Sequence, residues 1–336
     1  MWSLACLLVA GAVSISATAA QTVEVPGLGH VAGYEEHGLH IFKGMPYAEP
    51  PVGPRRFAPP VPVESWGTSL DAPLNGTEFG ASCFNAVQGG AAVVKGGQDE
   101  RPRPVLVWLH GGGFLVGSSS QPIAAPPPET LTRAADTVFV SFNYRLGVNG
   151  FLAHRGQGLD HVVGGKDAPE QGQYGAGTAG LLDQRAAIHW TLKHIAAFGG
   201  DPRRVTLAGS SAGAISLCFH LTDPSIAPFI NTAVMKSAFC SFPFPPLAKA
   251  FELGDALAQQ AGCSRSQQVG EVLAKAGMSH AQLDEATVAA AKLYQEELQC
   301  LQSVDADALR RLIPTRRGLM WWEGAYWFPV VNGIDA

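Results

Sequence analysis

The chain has 336 residues, 46% of them hydrophobic and 15% charged, with a formal net charge of -5. That is apolar chain enough for one large α/β domain with a sizeable core. Lys and Arg are scattered and form no basic stripe, so the sequence carries no electrostatic footprint for nucleic acid.

The first twenty residues, MWSLACLLVAGAVSISATAA, hold an apolar run over residues 4–15 that ends in Ala17-Thr18-Ala19-Ala20. No Lys or Arg precedes the run. Its shape predicts a secretory signal with an A-x-A cleavage site, leaving a mature chain of residues 21–336. The run is too short to span the ~30 Å hydrocarbon core of a bilayer, so no transmembrane segment is expected after its removal. The mature chain then carries Cys83, Cys218, Cys240, Cys263 and Cys300. An odd count leaves at least one thiol unpaired or paired outside the chain. Asn75-Gly76-Thr77 is a glycosylation sequon, consistent with the lumen of the secretory pathway or the exterior as destination.

Pro and Gly are dense over residues 46–62 and again over 89–104, and both stretches are predicted as loops. VLVWL at 105–109 is a short apolar run bounded by Pro104 and Gly111 and predicts a buried strand. TVFVSFN at 137–143 reads the same way. From Gly180, the spacing of Leu181, Ile188, Leu192 and Ile195 predicts one face of a helix, stopped by Gly199-Gly200-Asp201-Pro202. Residues 205–208 predict a third strand, 212–221 a helix and 232–236 a fourth strand. After Pro246 the pattern is helical. Strands alternating with helices predict an α/β fold with a mostly parallel sheet covered on both faces.

Chemistry concentrates at VTLAGSSAG, residues 205–213. Ser211 stands at the centre of Gly-x-Ser-x-Gly, between the third strand and the following helix. Glycine is required at Gly209 and Gly213 because side chains there would meet neighbouring backbone. Ser211 is then presented at the end of the sheet, and the Ala212 amide and helix dipole face the same space. His110-Gly111-Gly112-Gly113-Phe114 follows the first strand. Bare glycines let the Gly112 and Gly113 amides approach an anionic oxygen, and with Ala212 they make a three-pronged oxyanion hole.

These blocks resemble the type B carboxylesterases, the group that includes the cholinesterases and the non-catalytic neuroligins. The resemblance runs through FKGMPYAEPPVGPRRFAPPVPVESW (42–66), VLVWLHGGGF, NYRLGVNGFL (143–152), GLLDQ, FGGDPRRVTLAGSSAG (198–213) and FPVVNG near the end. It implies an α/β-hydrolase fold, carboxylic esters as small-molecule substrates, no cofactor, Ser211 as nucleophile, and Gly112, Gly113 and Ala212 as oxyanion donors. Ser210 stands where the family usually has Glu. Ser237 matches a serine that supports the triad acid, but Ala238 replaces the glycine that normally follows. Cys263 and Cys300 resemble a disulfide pair of the family, spread apart by an insertion. Closing that loop stabilises by about 4 kcal/mol in the chain-entropy model. A family block resembling EDCLYLNV, with the usual partner of Cys83, is absent, so Cys83 is expected to be the orphan thiol.

The triad order in this fold is Ser, then Asp or Glu, then His. Only His220 and His280 follow Ser211. His220 is nine residues along the same helix, roughly 13 Å away at 1.5 Å per residue, and is expected to pack on the sheet. His280 lies in a helical stretch with no glycine-flanked loop to present it. Upstream, His110 reads as a structural member of the glycine loop, and His189 and His194 as helix-surface or packing residues. The family's triad Glu and His lie beyond the FPVVNG block, so the expectation is a serine esterase whose acid and base are missing from these 336 residues, with the last strands of its sheet missing too. The alternative is a non-catalytic, neuroligin-like recognition ectodomain or an inactive fragment.

Overall fold

The computed structural model describes residues 21–80, 89–95, 101–120, 127–157, 176–276 and 279–312. In chain order the strands are β1 (Thr22–Val25), β2 (Gly29–Ala32), β3 (Tyr34–Glu36), β4 (Leu39–Pro46), β5 (Leu74–Asn75), β6 (Gly89–Lys95), β7 (Arg103–Leu109), β8 (Val138–Phe142), β9 (Gly200–Ser210) and β10 (Ile230–Lys236). The α-helices are α1 (Pro128–Ala135), α2 (Gly147–Phe151), α3 (Ala179–His194), α4 (Ala212–His220), α5 (Leu247–Gln260), α6 (Ser266–Lys275), α7 (His280–Ser303) and α8 (Ala306–Arg311).

Seven strands form the main sheet in the order β10-β9-β7-β8-β6-β4-β3, and β1, β2 and β5 form a small second sheet. β8, β7, β9 and β10 pair in parallel. β6 is antiparallel to both β4 and β8, so β4 points the same way as the parallel group. This is the α/β-hydrolase arrangement expected from the sequence. All of VFVSF in β8 is buried, as a strand covered on both faces requires. Along β7 the period of two sorts side chains by face. Val105, Val107 and Leu109 join the large core with Ile188 of α3 and Leu217 of α4. Trp108 joins a smaller core with Leu39, Ile41, Phe139 and Ala208, against Leu131 of α1.

The predicted loop at 89–104 is corrected. GGAAVVK forms β6, which sits inside the sheet between β4 and β8. Small side chains give no periodic signal, yet a strand paired on both edges is specified by its ladder: Gly90 faces Phe142 and Ala92 faces both Phe42 and Val140. The segment fills the sheet position next to the parallel strands although the EDCLYLNV-like block is absent.

The predicted face of α3 is shifted by one residue at its start. Leu182, Ile188 and Thr191 are buried, with Ile195 in the following 3-10 turn, while Leu181 and Leu192 are only half-buried. Gly199, at φ 76°, closes that turn and lets the chain reverse into β9.

Candidate active site

β9 ends at Ser210 and α4 begins at Ala212, so Ser211 is the whole connection. It adopts φ 53° and ψ -122°, a conformation L residues rarely hold. Two hydrogen bonds fix it: its amide donates to the Lys236 carbonyl at 2.8 Å, and its carbonyl accepts from the Ile215 amide at 2.9 Å. A Cβ on Gly213 would lie 2.1 Å from the Leu109 oxygen and 2.7 Å from that of His110, and one on Gly209 would lie 2.7 Å from the Gly213 carbonyl carbon. Glycine at both positions is therefore what allows α4 to start against the end of β7. Ser211 is partly exposed at this edge. The Ala212 amide, at the first position of α4, has no carbonyl four residues back within the helix.

The glycine loop lies against the same turn. A Cβ on Gly111 would stand 2.6 Å from the Ser210 oxygen and 3.2 Å from Ser211 Cβ. Gly112 and Gly113 take φ 116° and 62°, and Phe114 takes 60°. The Gly112 carbonyl accepts from Leu115 and Val116, each at 3.1 Å, and Phe114 O accepts from Gly147 N at 2.7 Å. Among the described residues the Gly112 and Gly113 amides donate to no backbone carbonyl. Ser211, Gly112, Gly113 and Ala212 are thus brought to one end of the sheet.

His110 is locked into that loop. Its ring stacks on Tyr144 at 4.4 Å, its Nδ1 lies 2.9 Å from the Gly111 carbonyl, and the Tyr144 hydroxyl donates to the His110 carbonyl at 2.8 Å. Burial pulls its pKa down to about 4, against the opposing pull of the Gly111 carbonyl. A neutral ring with Nδ1 protonated satisfies this geometry. His220 is also buried, with Nε2 2.9 Å from Gln184 Oε1, and burial pulls its pKa to about 4. His189 meets the Ser225 hydroxyl at 3.1 Å, and His194 packs on Trp190 at 5.4 Å. His280 is the first residue of α7. Among the described residues no histidine hydrogen-bonds to the Ser211 hydroxyl.

One buried ion pair and one buried imidazole–carboxylate hydrogen bond escaped sequence reasoning. Arg145, just after β8, binds Asp183 of α3 through Nε at 2.7 Å and Nη2 at 2.8 Å, and the Arg145 amide donates to Asp183 Oδ2 at 2.9 Å. Both residues lie in blocks quoted above, NYRLG and GLLDQ, and that shared membership is the one signal that could have paired them. His154 Nε2 meets Glu297 Oε1 at 2.9 Å, while His154 Nδ1 accepts from the Gly156 amide at 2.9 Å. Burial pushes the Glu297 carboxyl up, but the hydrogen bonds from His154 and the Arg265 amide outweigh it and hold the group below its ordinary range.

Cys263 and Cys300 are bridged, with Cα atoms 5.6 Å apart. A second bridge, Cys218 to Cys240, was not expected. Cys83, the signal-like residues 1–20 and the FPVVNG block lie outside the described residues. Asn75 is exposed at the end of β5, and the Thr77 hydroxyl donates to its Oδ1 at 2.7 Å. Ser237 adopts φ 56° immediately after β10, and Ala238 packs at the rim of the large core. Among the described residues, no group of three His, Cys, Asp or Glu could hold a metal ion, and no helix is long and apolar enough to cross a membrane.

The profile described as "Carboxylesterase family" matches residues 19–314. Phenmedipham hydrolase of Pseudarthrobacter oxydans is 36% identical over 62% of this chain and 41% of its own length. The para-nitrobenzyl esterase of Bacillus subtilis is 35% identical over 62% and 42%, and mouse cholinesterase is 32% identical over 68% and 38%. The crystal structure of a Geobacillus stearothermophilus carboxylesterase at pH 6.2 superposes with a TM-score of 0.61 at 32% identity, covering 80% of this chain and 52% of that one. This chain therefore spans about two fifths of the length of the curated relatives it matches. With the family model matched over residues 19–314, the chain belongs to the carboxylesterase family.

Proposed function

We propose that the chain is the nucleophile-bearing portion of a serine hydrolase acting on small carboxylic esters. Ser211 Oγ attacks the ester carbonyl carbon, and the carbonyl electron pair moves onto oxygen. The Gly112, Gly113 and Ala212 amides receive that oxyanion. Collapse expels the alcohol, which takes up the proton lost by serine, and water then releases the acid from the acyl-enzyme. The observation that carries this reading is the seating of the glycine loop against Ser211, with the Gly112 and Gly113 amides donating to no backbone carbonyl among the described residues. That the relatives named above are a hydrolase and an esterase favours it over a recognition ectodomain.

The base and the acid are proposed to lie outside residues 1–336. The histidines placed here support this: His110 and His220 are buried and engaged elsewhere. The protein is proposed to enter the secretory pathway by the signal in residues 1–20 and to carry a glycan on Asn75. The exposed sequon and the two disulfides are compatible with that route.

The test is hydrolysis of p-nitrophenyl butyrate by residues 21–336, by the Ser211→Ala variant, and by a chain extended to include a downstream His segment. Loss of a triad histidine costs on the order of a million-fold, and an oxyanion hole with binding leaves about a thousand-fold over water. The short chain is expected to be marginal, nearly indifferent to Ser211→Ala, and surpassed by the extended chain by several orders of magnitude. Robust turnover by residues 21–336 that Ser211→Ala abolishes places the base inside this chain and overturns that part of the proposal. Activity of the extended chain that survives Ser211→Ala overturns the nucleophile.

A further inference from the structure

The Cys218–Cys240 bridge closes a loop that contains the whole of β10. β10 is the last strand of its sheet among the described residues and pairs with β9 alone. Most of it is exposed, including Val234. Strands at such an edge fray first. Yet the carbonyl of its final residue, Lys236, is the acceptor for the Ser211 amide. The rarely populated backbone of Ser211 persists only while its surroundings over-determine it, and one of the two bonds that do so ends on this exposed strand.

The bridge closes a short circuit around that bond. From Ser211, α4 runs two turns to Cys218, in a helix buried from Ala212 to Leu217. The bridge crosses to Cys240, four residues beyond Lys236, and the hydrogen bond returns to Ser211. Beyond Cys240, Phe242 and Phe244 continue the seam: Phe244 lies 5.3 Å from Phe219 of α4 and 5.2 Å from Phe242.

We infer that the Cys218–Cys240 bridge is a positioning clamp for the Ser211 turn. It fastens the exposed end of β10 to the buried helix that starts at the serine, so that the Ser211 amide stays bonded to Lys236. Its functional meaning rests on Ser211 being the nucleophile; the mechanical link does not. The clamp is open to a dithiol reductant. Two electrons and two protons pass to the two Sγ atoms, giving two thiols, and the dithiol leaves as its cyclic disulfide. Cys240 is exposed, whereas Cys263 of the other bridge is fully buried, so the clamp is the bridge a reductant reaches first.

The test is amide hydrogen exchange on the oxidised protein and on the Cys218→Ser/Cys240→Ser variant, which keeps the Cys263–Cys300 bridge. Folded wild-type protein opened with graded dithiothreitol and capped with iodoacetamide gives an opened clamp without mutation. Opening the clamp is expected to speed exchange at least tenfold at Ser211 and along β10, while β7 and β8 keep their protection. Reoxidation of uncapped protein is expected to restore it. Unchanged exchange at Ser211 overturns the clamp, and so does an equal loss across β7 and β8, which marks a merely global stabiliser. Absence of esterase activity in both redox states bears on the proposed function alone, because exchange is read without turnover.

Discussion

Arg145 and Asp183 face each other across the junction of β8 and α3 through two parallel hydrogen bonds, and neither side chain is more than 4% exposed. The pair also supports the candidate site. Arg145 lies at the start of the turn whose Gly147 amide donates to Phe114 of the glycine loop. Removing one partner of a buried pair leaves an uncompensated charge and costs about 3–5 kcal/mol, more than the pair itself contributes. Asp183→Asn is therefore expected to lower the urea midpoint sharply. Arg145→Met/Asp183→Leu is expected to recover part of that loss. A midpoint for Asp183→Asn within experimental error of wild type contradicts this account.

Stability is expected to fall as pH drops from about 6.5 to about 4. His110 and His220 are each pulled from 6.5 to about 4, chiefly by burial. In the unfolded chain these rings take up protons near 6.5, while in the fold they stay neutral. Their contribution is complete above pH 6.5 and is lost on the way down to pH 4. Each proton gives a slope of about 1.4 kcal/mol per pH unit. Urea unfolding at a series of pH values checks this, and His220→Gln should remove about one proton from the slope.

Two glycines should respond in opposite directions to alanine. At Gly213 the new Cβ would sit 2.1 Å from the Leu109 oxygen and 2.7 Å from that of His110, both backbone atoms. Gly213→Ala is expected to destabilise by about 3 kcal/mol or more, as overpacking against immovable atoms does. Gly270, inside α6, has open space around its Cβ direction. Gly270→Ala is expected to stabilise by about 0.5–1 kcal/mol through helix propensity and a less flexible unfolded chain. Thermal melts of the two variants suffice.

Among the described residues β10 is an exposed edge, and residues 21–336 produced alone are expected to self-associate through it. Thr232, Ala233 and Val234 are exposed in sequence, and β-edge backbone of this kind templates pairing with another chain. Val234→Lys places a charge on that strand and is expected to shift the protein toward monomer in light scattering after gel filtration. A monodisperse wild-type monomer at high concentration removes the premise.

What was legible in the sequence was local. Ser211, Gly209 and Gly213 declare a turn within five residues, and the apolar runs at 105–109 and 137–143 declare buried strands by length and β-branched content. β6 stayed hidden because Gly89, Gly90, Ala91 and Ala92 carry no side-chain period. The contacts that tie the fold together were hidden for another reason. Arg145 and Asp183 are 38 residues apart, and His154 and Glu297 are 143 apart. Neither spacing is a period of helix or strand, so only the folded chain brings the partners together. The Cys218–Cys240 bridge was unreadable in the same way, since spacing alone does not decide among the possible pairings.

The four cysteines among the described residues admit three pairings. The two bridges seen here form the one in which neither ring encloses or crosses the other: the first spans residues 218–240, the second 263–300. The first ring is therefore complete before either residue of the second has been synthesised. A chain delivered from its N-terminus into an oxidising compartment can seal each ring as its second cysteine emerges, since for Cys240 and for Cys300 the nearest preceding cysteine is the native mate. The order of translation then also orders these two rings, and Cys83, upstream of both, is the one earlier cysteine of the mature chain that competes for Cys218 before Cys240 emerges.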